Sequence, residues 1–225
     1  MDRIALPEAI RDTIAGPVVG FADQDDTFGW LGIPFAAPPL GELRWAAPRL
    51  PEPWQKNREA IAFGNACVQL WGPLVGTTGE VGQVVGNEDC LYLNVWAPRN
   101  NSDTDSKGLP VMFWIHGGGN SIGTANTYPG HRLAGGENVV LVTINYRLGL
   151  LGWMSHPALR GEGRSASDAS GNYGNLDMIA ALEWVQKNIT SFGGDPDNVT
   201  IFGESAGGLN VYSLMASPPA KGLFH

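Results

Sequence analysis

Asn198-Val199-Thr200-Ile201-Phe202-Gly203-Glu204-Ser205-Ala206-Gly207 is the stretch that decides the fold of this 225-residue chain. Its first five residues form a β-branched and aromatic run typical of a buried strand, and residues 209–215 can form a helix. Between them lies a match to Gly-x-Ser-x-Gly. In a chain with 31 glycines this match alone is weak. Its place between a strand and a helix predicts a sharp strand-to-helix turn with Ser205 at its tip.

A serine in such a turn projects its hydroxyl beyond the end of the sheet, near a helix N-terminus. The strained backbone costs about 1–3 kcal/mol, and glycines on both sides let the strand and the helix pass closely. We therefore predict that Ser205 is a nucleophile and that the amide of Ala206 points into the same space. The alternative is that Ser205 is an ordinary residue capping the helix.

A second motif, His116-Gly117-Gly118-Gly119, follows the apolar run of residues 109–115. Glycine amides can approach a substrate closely, and each such donor typically stabilises an oxyanion in the transition state by about 2.7–4 kcal/mol. We predict that Gly118 and Gly119 are donors and that His116 is a structural residue rather than a base. The alternatives are a plain tight turn and a phosphate-binding loop, which is disfavoured because no Lys-Ser/Thr pair follows.

Short apolar or β-branched runs predict four central strands, over residues 91–96, 109–116, 138–145 and 199–202. A helix is predicted over residues 175–189, because apolar residues share one face: Met178, Leu182, Val185 and Ile189. The order strand, helix, strand indicates a parallel crossover and hence an α/β fold. Polar residues 100–107 and 161–170 are expected to be surface loops, so we predict a single domain.

Acidic residues outnumber basic ones by 22 to 14, which gives a net charge of −8, and Lys and Arg form no cluster that would bind phosphates. We therefore expect no nucleic-acid partner. Residues 1–20 lack the apolar core of a signal peptide, and no apolar run approaches the ~20 residues of a membrane span. These features predict a cytoplasmic chain without a membrane partner.

The chain has two cysteines, Cys67 and Cys90, whose redox state is open at this point. A disulfide between them would stabilise the fold by roughly 3 kcal/mol in an entropic description and would suggest an extracellular location. Free thiols in a reducing compartment are the alternative. The cysteines lack the spacing of a metal site and the histidines are scattered, so we expect no metal and no organic cofactor.

Further motifs occur along the chain at residues 32–39 (Gly-Ile-Pro-Phe-Ala-Ala-Pro-Pro), 88–95 (Glu-Asp-Cys-Leu-Tyr-Leu-Asn-Val), 145–147 (Asn-Tyr-Arg), 171–174 (Gly-Asn-Tyr-Gly) and 192–196 (Phe-Gly-Gly-Asp-Pro). Together with the serine turn and the glycine triplet, they make the chain resemble the type-B carboxylesterase family. That family includes bacterial para-nitrobenzyl esterases, liver carboxylesterases and cholinesterases. The resemblance covers nearly the whole chain from about residue 15 onward and implies the α/β-hydrolase fold.

The resemblance implies a serine hydrolase that cleaves small-molecule carboxylic esters through an acyl-enzyme. Ser205 would be the nucleophile, and the oxyanion donors would be Gly118, Gly119 and Ala206. It also implies a Cys67–Cys90 disulfide and two buried, structural ion pairs, Arg44–Glu88 and Arg147–Asp177. Choline esters are disfavoured, because the only tryptophan between the cysteines, Trp71, lies far from the position of the family's choline-stacking tryptophan.

In this fold the catalytic triad follows the chain order serine, acid, histidine. Residues 206–225 contain no Asp or Glu, and their single histidine, His225, lies beyond Pro218-Pro219. We therefore expect residues 1–225 to be the N-terminal part of one α/β-hydrolase domain, truncated after the helix that follows Ser205. Such a fragment would be inactive alone and would expose apolar surface, and its partner would be the missing C-terminal half of the domain.

The sequence is also compatible with two other functions. A non-catalytic, cholinesterase-like interaction domain would use the same fold, although retention of the serine turn and the glycine triplet argues against it. Cleavage of amides or thioesters would use the same groups as ester cleavage.

Overall fold

A computed structural model describes residues 3–72, 76, 78–100 and 107–225. Within these residues the strands are β1 (Ile10–Thr13), β2 (Gly16–Val19), β3 (Phe21–Asp23), β4 (Thr27–Pro34), β5 (Arg58–Glu59), β6 (Gln69–Leu70), β7 (Val84–Val85), β8 (Tyr92–Pro98), β9 (Leu109–Ile115), β10 (Val140–Ile144) and β11 (Gly194–Gly203). The α-helices are α1 (His131–Glu137), α2 (Gly149–Gly152), α3 (Tyr173–Asn188) and α4 (Ala206–Met215). Short 3₁₀ helices lie at Pro7–Ala9, Gly41–Leu43, Ala125–Thr127, Pro157–Arg160, Ile189–Phe192 and Pro218–Ala220. None of these described helices has the length and apolar character needed to cross a membrane.

A six-stranded sheet forms the centre of the molecule, in the order β11-β9-β10-β8-β4-β3. Strand β9 lies between β10 and β11 and pairs in parallel with both. The remaining pairings in this sheet are antiparallel. The chain leaves β10, passes through α3 and enters β11 in the same direction, so the predicted parallel crossover is confirmed. The carboxyl ends of β9 and β11 therefore lie at the same edge of the sheet, where the glycine motif and the serine turn begin.

Helix α3 buries the apolar face that the sequence predicted. Met178, Leu182 and Val185 of α3 are each 0% exposed, and so is Ile189, which begins the 3₁₀ helix directly after α3. They belong to one hydrophobic cluster with Phe113, Val142 and Val199 of the parallel strands. Burial of each such side chain contributes about 1.5–3 kcal/mol, so this face fixes α3 against the sheet.

Helix α4, unlike α3, exposes large apolar side chains. Three of its large apolar side chains are exposed to 66%, 70% and 65% of their full area: Leu209, Tyr212 and Met215. They recur every third residue and form one stripe along the helix. Among the described residues, α4 thus exposes an apolar stripe rather than burying it.

The sequence does not indicate the strands that precede β8. Strand β4 contains two glycines and ends in proline, a composition that disfavours strands, and yet every residue in it is buried. It pairs with β3 and β8, and its aromatic residues Phe28 and Trp30 belong to the core. Tertiary packing thus overrides the local preference of this segment.

The predicted surface loop over residues 161–170 has one exception. Asp168 is 9% exposed, accepts a 2.8 Å hydrogen bond from the amide of Ala47 and forms an ion pair with Arg49 at 2.8 Å. The prediction is therefore wrong for Asp168, because these two partners draw its carboxylate inward. Residues 101–106 of the other predicted loop lie outside the described residues.

The two ion pairs implied by the family resemblance differ in burial. The side chains of Arg147 and Asp177 are 4% and 0% exposed, and their closest N–O distance is 2.7 Å. Arg44 and Glu88 share two 2.5 Å hydrogen bonds, but their side chains are 40% and 22% exposed. The prediction that the Arg44–Glu88 pair is buried is therefore wrong. It lies partly in solvent, where salt screens the attraction between the two charges.

Cys67 and Cys90 form a disulfide with an Sγ–Sγ distance of 2.07 Å. Both residues are buried and belong to the main hydrophobic cluster. The bond closes a loop that contains the two-stranded β6–β7 ribbon. Near one end of this loop, Gln69 contacts Gly123, which lies four residues after the glycine motif.

Candidate functional site

Ser205 lies in the turn between β11 and α4. Its backbone has φ +55° and ψ −119°, a conformation that non-glycine residues rarely adopt and that costs about 1–3 kcal/mol. The residue is exposed, and its side chain makes no capping hydrogen bond to α4. The arrangement is therefore not that of an ordinary N-cap residue. The hydroxyl is free to meet a molecule at the tip of the turn.

The turn is tight because the first turn of α4 passes directly over the end of β9. A Cβ atom at Gly207 would overlap the carbonyl oxygen of Ile115 and would lie 2.9 Å from that of His116. A Cβ atom at Gly203 would lie 2.5 Å from the carbonyl carbon of Gly207. Glycine at these two positions is what allows Ser205 to be lifted beyond the sheet.

The glycine motif contacts the serine turn. A Cβ atom at Gly117 would lie 3.1 Å from the Cβ of Ser205. Gly118 and Gly119 have φ values of +93° and +62°, in the region that favours glycine. Within the described part of the chain, no backbone acceptor pairs with the amide of Gly118, Gly119 or Ala206. The structure thus brings the segments carrying the predicted donors together and leaves their amides free.

Two asparagines join the glycine motif to α4. Asn210 on α4 is 3% exposed and donates a 2.9 Å hydrogen bond to the side-chain oxygen of Asn120, which follows Gly119. Asn120 donates in return at 3.3 Å and has φ +57°. The pair fixes the glycine motif relative to the helix that begins after Ser205. Sequence reasoning missed both residues, and the available signal was an asparagine directly after a glycine run, where positive φ is tolerated.

All four histidines lie among the described residues, and none of their hydrogen bonds involves Ser205. His116 is buried, stacks on Tyr146 at 4.4 Å and donates from Nδ1 to the Gly117 carbonyl at 2.9 Å. His131 Nδ1 pairs with the carboxylate of Asp25. His156 Nδ1 accepts from the amide of Ala158, and His225 Nδ1 accepts from the amide of Val199. The contacts of His116 fit its predicted structural role.

Burial lowers the pKa of His116 to about 4, although its hydrogen bond to Gly117 opposes this shift. In the unfolded chain the pKa is about 6.5, so the unfolded state takes up the proton first as the pH falls. The free energy of unfolding is unaffected by His116 above pH 6.5 and falls progressively between pH 6.5 and pH 4. The expected contribution over this window is about 3 kcal/mol.

Urea unfolding at a series of pH values checks this prediction. The wild-type free energy of unfolding is expected to fall by about 3 kcal/mol more than that of a His116→Gln variant between pH 6.5 and pH 4. Parallel pH dependences for the two proteins would contradict it.

An aromatic wall lies beside the site. Trp114 on β9 packs against Phe202 on β11 with ring centroids 4.9 Å apart, and against Tyr128 at 5.0 Å. Burial raises the pKa of Tyr128, and the negative charge of Glu204 raises it further. Sequence reasoning missed this wall. The available signal was the position of each aromatic residue. Trp114 lies two residues before His116, and Phe202 lies directly before Gly203.

The chemistry available at this site is that of a hydroxyl next to unpaired backbone amides. The described residues contain no group of three or more His, Cys, Asp or Glu side chains able to hold a metal ion. A hydroxyl in this setting suits attack on a carbonyl carbon, because the amides can stabilise the negative charge that develops on the carbonyl oxygen.

Comparison with known proteins gives consistent matches. Residues 7–225 match the model of the "Carboxylesterase family". The fumonisin B1 esterase of Sphingopyxis macrogoltabida is 46% identical over 222 residues, covering 97% of this chain and 39% of that protein. The para-nitrobenzyl esterase of Bacillus subtilis is 48% identical over 221 residues, covering 97% and 42%. A solved structure of PNB esterase has a TM-score of 0.84 and 45% identity, covering 96% and 42%. The chain thus spans about two fifths of the length of these relatives.

Proposed function

The chain belongs to the carboxylesterase family and has the α/β-hydrolase fold, and from this premise we propose that it supplies the nucleophile and the oxyanion donors of a serine hydrolase acting on carboxylic esters. The observation that carries the proposal is the exposed Ser205, held at φ +55° next to the glycine motif, where the amides of Gly118 and Gly119 have no hydrogen-bond acceptor among the described residues. A strained serine without a capping role is expected where the strain serves chemistry.

In the proposed reaction, Ser205 Oγ forms a bond to the carbonyl carbon of the ester, and a general base takes the hydroxyl proton. The carbonyl oxygen becomes negatively charged and accepts hydrogen bonds from the amides of Gly118, Gly119 and Ala206. When this intermediate collapses, the bond to the alcohol oxygen breaks and the alcohol leaves with the proton. Water then releases the acid from Ser205 by the same steps.

We also propose that residues 1–225 alone do not turn over esters. A serine hydroxyl is a weak nucleophile without a neighbouring base, and none of the contacts of the four histidines involves Ser205. The acid and the histidine of the triad would come from the part of the relatives' length that this chain does not span.

The test joins residues 1–225 to the C-terminal part of the Bacillus subtilis para-nitrobenzyl esterase that follows the matched region. This fusion is expected to hydrolyse p-nitrophenyl acetate, and Ser205→Ala is expected to lower its kcat by at least about 10³-fold. The isolated chain is expected to be no faster than its own Ser205→Ala variant. Serine-dependent turnover by the isolated chain would contradict its proposed inactivity.

A fluorophosphonate probe separates the remaining functions. A folded fusion that is neither active nor labelled at Ser205 would contradict the esterase and favour a non-catalytic interaction domain. Labelling of Ser205 together with cleavage of amides or thioesters, but not of esters, would instead revise the substrate class.

We propose a location in an oxidising compartment, which the disulfide supports, rather than the cytoplasmic location expected in the sequence analysis. Mass spectrometry after alkylation without reductant reads the state of Cys67 and Cys90 in the producing cell. Two alkylated thiols would contradict this location.

A further inference from the structure

Gln69 lies on β6, in the loop closed by the disulfide. It contacts Gly123, the last residue of the segment 116–123 that begins with the glycine motif. Its side chain is buried, at 5% exposure. Its Oε1 accepts a 2.7 Å hydrogen bond from the amide of Gly123, and its Nε2 donates to the carbonyl of the same residue at 3.0 Å. The second hydrogen of Nε2 goes to the carbonyl of Cys67 at 2.8 Å. One side-chain amide therefore holds both backbone groups of Gly123.

This set of partners permits a single orientation of the Gln69 amide. Reversal of the amide would place its oxygen against the carbonyls of Gly123 and Cys67 and its NH₂ group against the Gly123 amide hydrogen. Because the side chain is buried, water cannot readily replace the lost bonds. Gln69 therefore acts as a fixed anchor for the backbone at Gly123.

The segment between Gly123 and the predicted donors is tightly packed. The carbonyl of Gly118 accepts hydrogen bonds from the amides of Ser121 and Ile122, both at 3.1 Å. A Cβ atom at Gly118 would overlap the carbonyl oxygen of Ile122, and one at Gly123 would lie 2.5 Å from the His116 ring. A displacement of Gly123 would consequently move Ile122 and with it Gly118.

We propose that Gln69 is a positioning residue for ester hydrolysis, an inference that rests on the function proposed above. It touches neither the substrate nor Ser205. It acts through Gly123 to hold the amides of Gly118 and Gly119 where they can meet the oxyanion. The disulfide loop thereby supports catalysis from a site 54 residues earlier in the chain than Gly123.

A residue with this role affects the chemical step more than substrate binding, since the oxyanion forms only as the reaction proceeds. In the fusion enzyme, Gln69→Met preserves the length of the side chain but removes all three hydrogen bonds. It is expected to lower kcat by about 10²-fold, as does loss of one oxyanion donor, and to change KM less than about threefold. Gln69→Asn retains an amide that is one methylene too short, and is expected to lower kcat to an intermediate extent.

Hydrogen exchange read by mass spectrometry tests the anchor itself on the 225-residue chain, independently of activity. Gln69→Met is expected to speed exchange in the peptide containing residues 117–123 by at least about 10-fold and to leave the peptide of β10 unchanged. Gln83→Ala is the matched control, because Gln83 is exposed in the same loop and, among the hydrogen bonds of the described residues, its side chain accepts only from the amide of Glu80. It is expected to change neither exchange nor kcat.

The exchange and kcat measurements distinguish failure of the Gln69 proposal from failure of the proposed esterase function. Unchanged exchange at residues 117–123 in both Gln69 variants overturns the proposal. Faster exchange with unchanged kcat in an active fusion overturns it as well, because the loop would then not limit the chemistry. A fall in kcat matched by Gln83→Ala also overturns it. If the parent fusion is folded but inactive, the proposed function fails, and the exchange measurement still decides whether Gln69 anchors the loop. If Gln69→Met does not fold, Gln69→Asn decides the result.

Discussion

Replacement of Asp177 by alanine is expected to lower the free energy of unfolding by about 3–5 kcal/mol. Asp177 Oδ2 accepts hydrogen bonds from the amide of Arg147 at 3.0 Å and from its Nε at 2.8 Å, and Oδ1 accepts a third from the guanidinium at 2.7 Å. Both side chains are almost fully buried. Alanine would leave the charge of Arg147 inside the protein with the carbonyl of Ala46 as its remaining hydrogen-bond partner. A buried charge without a counter-ion accounts for the size of the expected loss.

Urea unfolding at neutral pH measures this loss, and Glu183→Ala is the matched control on the same helix. Glu183 and Lys187 are about half exposed and 3.8 Å apart, so this substitution is expected to cost less than about 0.5 kcal/mol. Substitution of both Arg147 and Asp177 by leucine is expected to recover much of the loss, since no unpaired charge remains. Equal destabilisation by Asp177→Ala and Glu183→Ala would show that the buried pair is not important for stability.

The second large effect is expected for Gly207→Ala. The new methyl group would overlap the carbonyl oxygen of Ile115, which belongs to the central strand β9. Ile115 ends β9 and is paired on both sides, with Ile144 and Gly203, so its backbone cannot move aside as a flexible side chain can and α4 must shift away from β9. We expect a loss of about 1–3 kcal/mol or more in unfolding free energy from the overpacking. Turnover by the fusion enzyme should fall to the level of Ser205→Ala, because the turn that carries the hydroxyl moves with the helix.

The substitution Gly208→Ala, at the residue after Gly207, is the control. A Cβ atom at Gly208 would lie 3.4 Å from the carbonyl oxygen of Gly203, an ordinary contact. Because alanine is a better helix former than glycine by about 1 kcal/mol, Gly208→Ala is expected to be neutral or stabilising. Urea unfolding and p-nitrophenyl acetate turnover measure both variants. If the two substitutions have the same effect, the close approach of α4 to β9 does not determine the turn.

The parts of this protein that the sequence predicted are those whose signals lie close together in the chain. The strand, the glycines, Ser205 and the helix fall within residues 198–215, and the apolar face of α3 recurs with a helical period. Strand β4 was missed because its burial comes from pairing with strands elsewhere in the chain rather than from its own composition.

The parts that the sequence could not predict depend on distant partners. Gln69 reaches Gly123 across 54 residues, and Asn120 reaches Asn210 across 90. Gln69 and Asn210 are single polar residues between apolar neighbours, and no periodic pattern marks either of them. The glycines before Asn120 indicate a positive φ but not its distant partner. The resemblance to a family identified Arg44 and Glu88 as a pair but not their exposure, because the depth of a side chain depends on the surrounding fold rather than on its motif.

The backbone at Ser205 has a further consequence for how this protein can change. At φ +55° a glycine would have less backbone strain than a serine, but glycine carries no hydroxyl. Laboratory selection for heat resistance and selection for turnover therefore favour opposite residues at this position. A library screened by thermal challenge alone is biased against the residue on which the proposed chemistry depends.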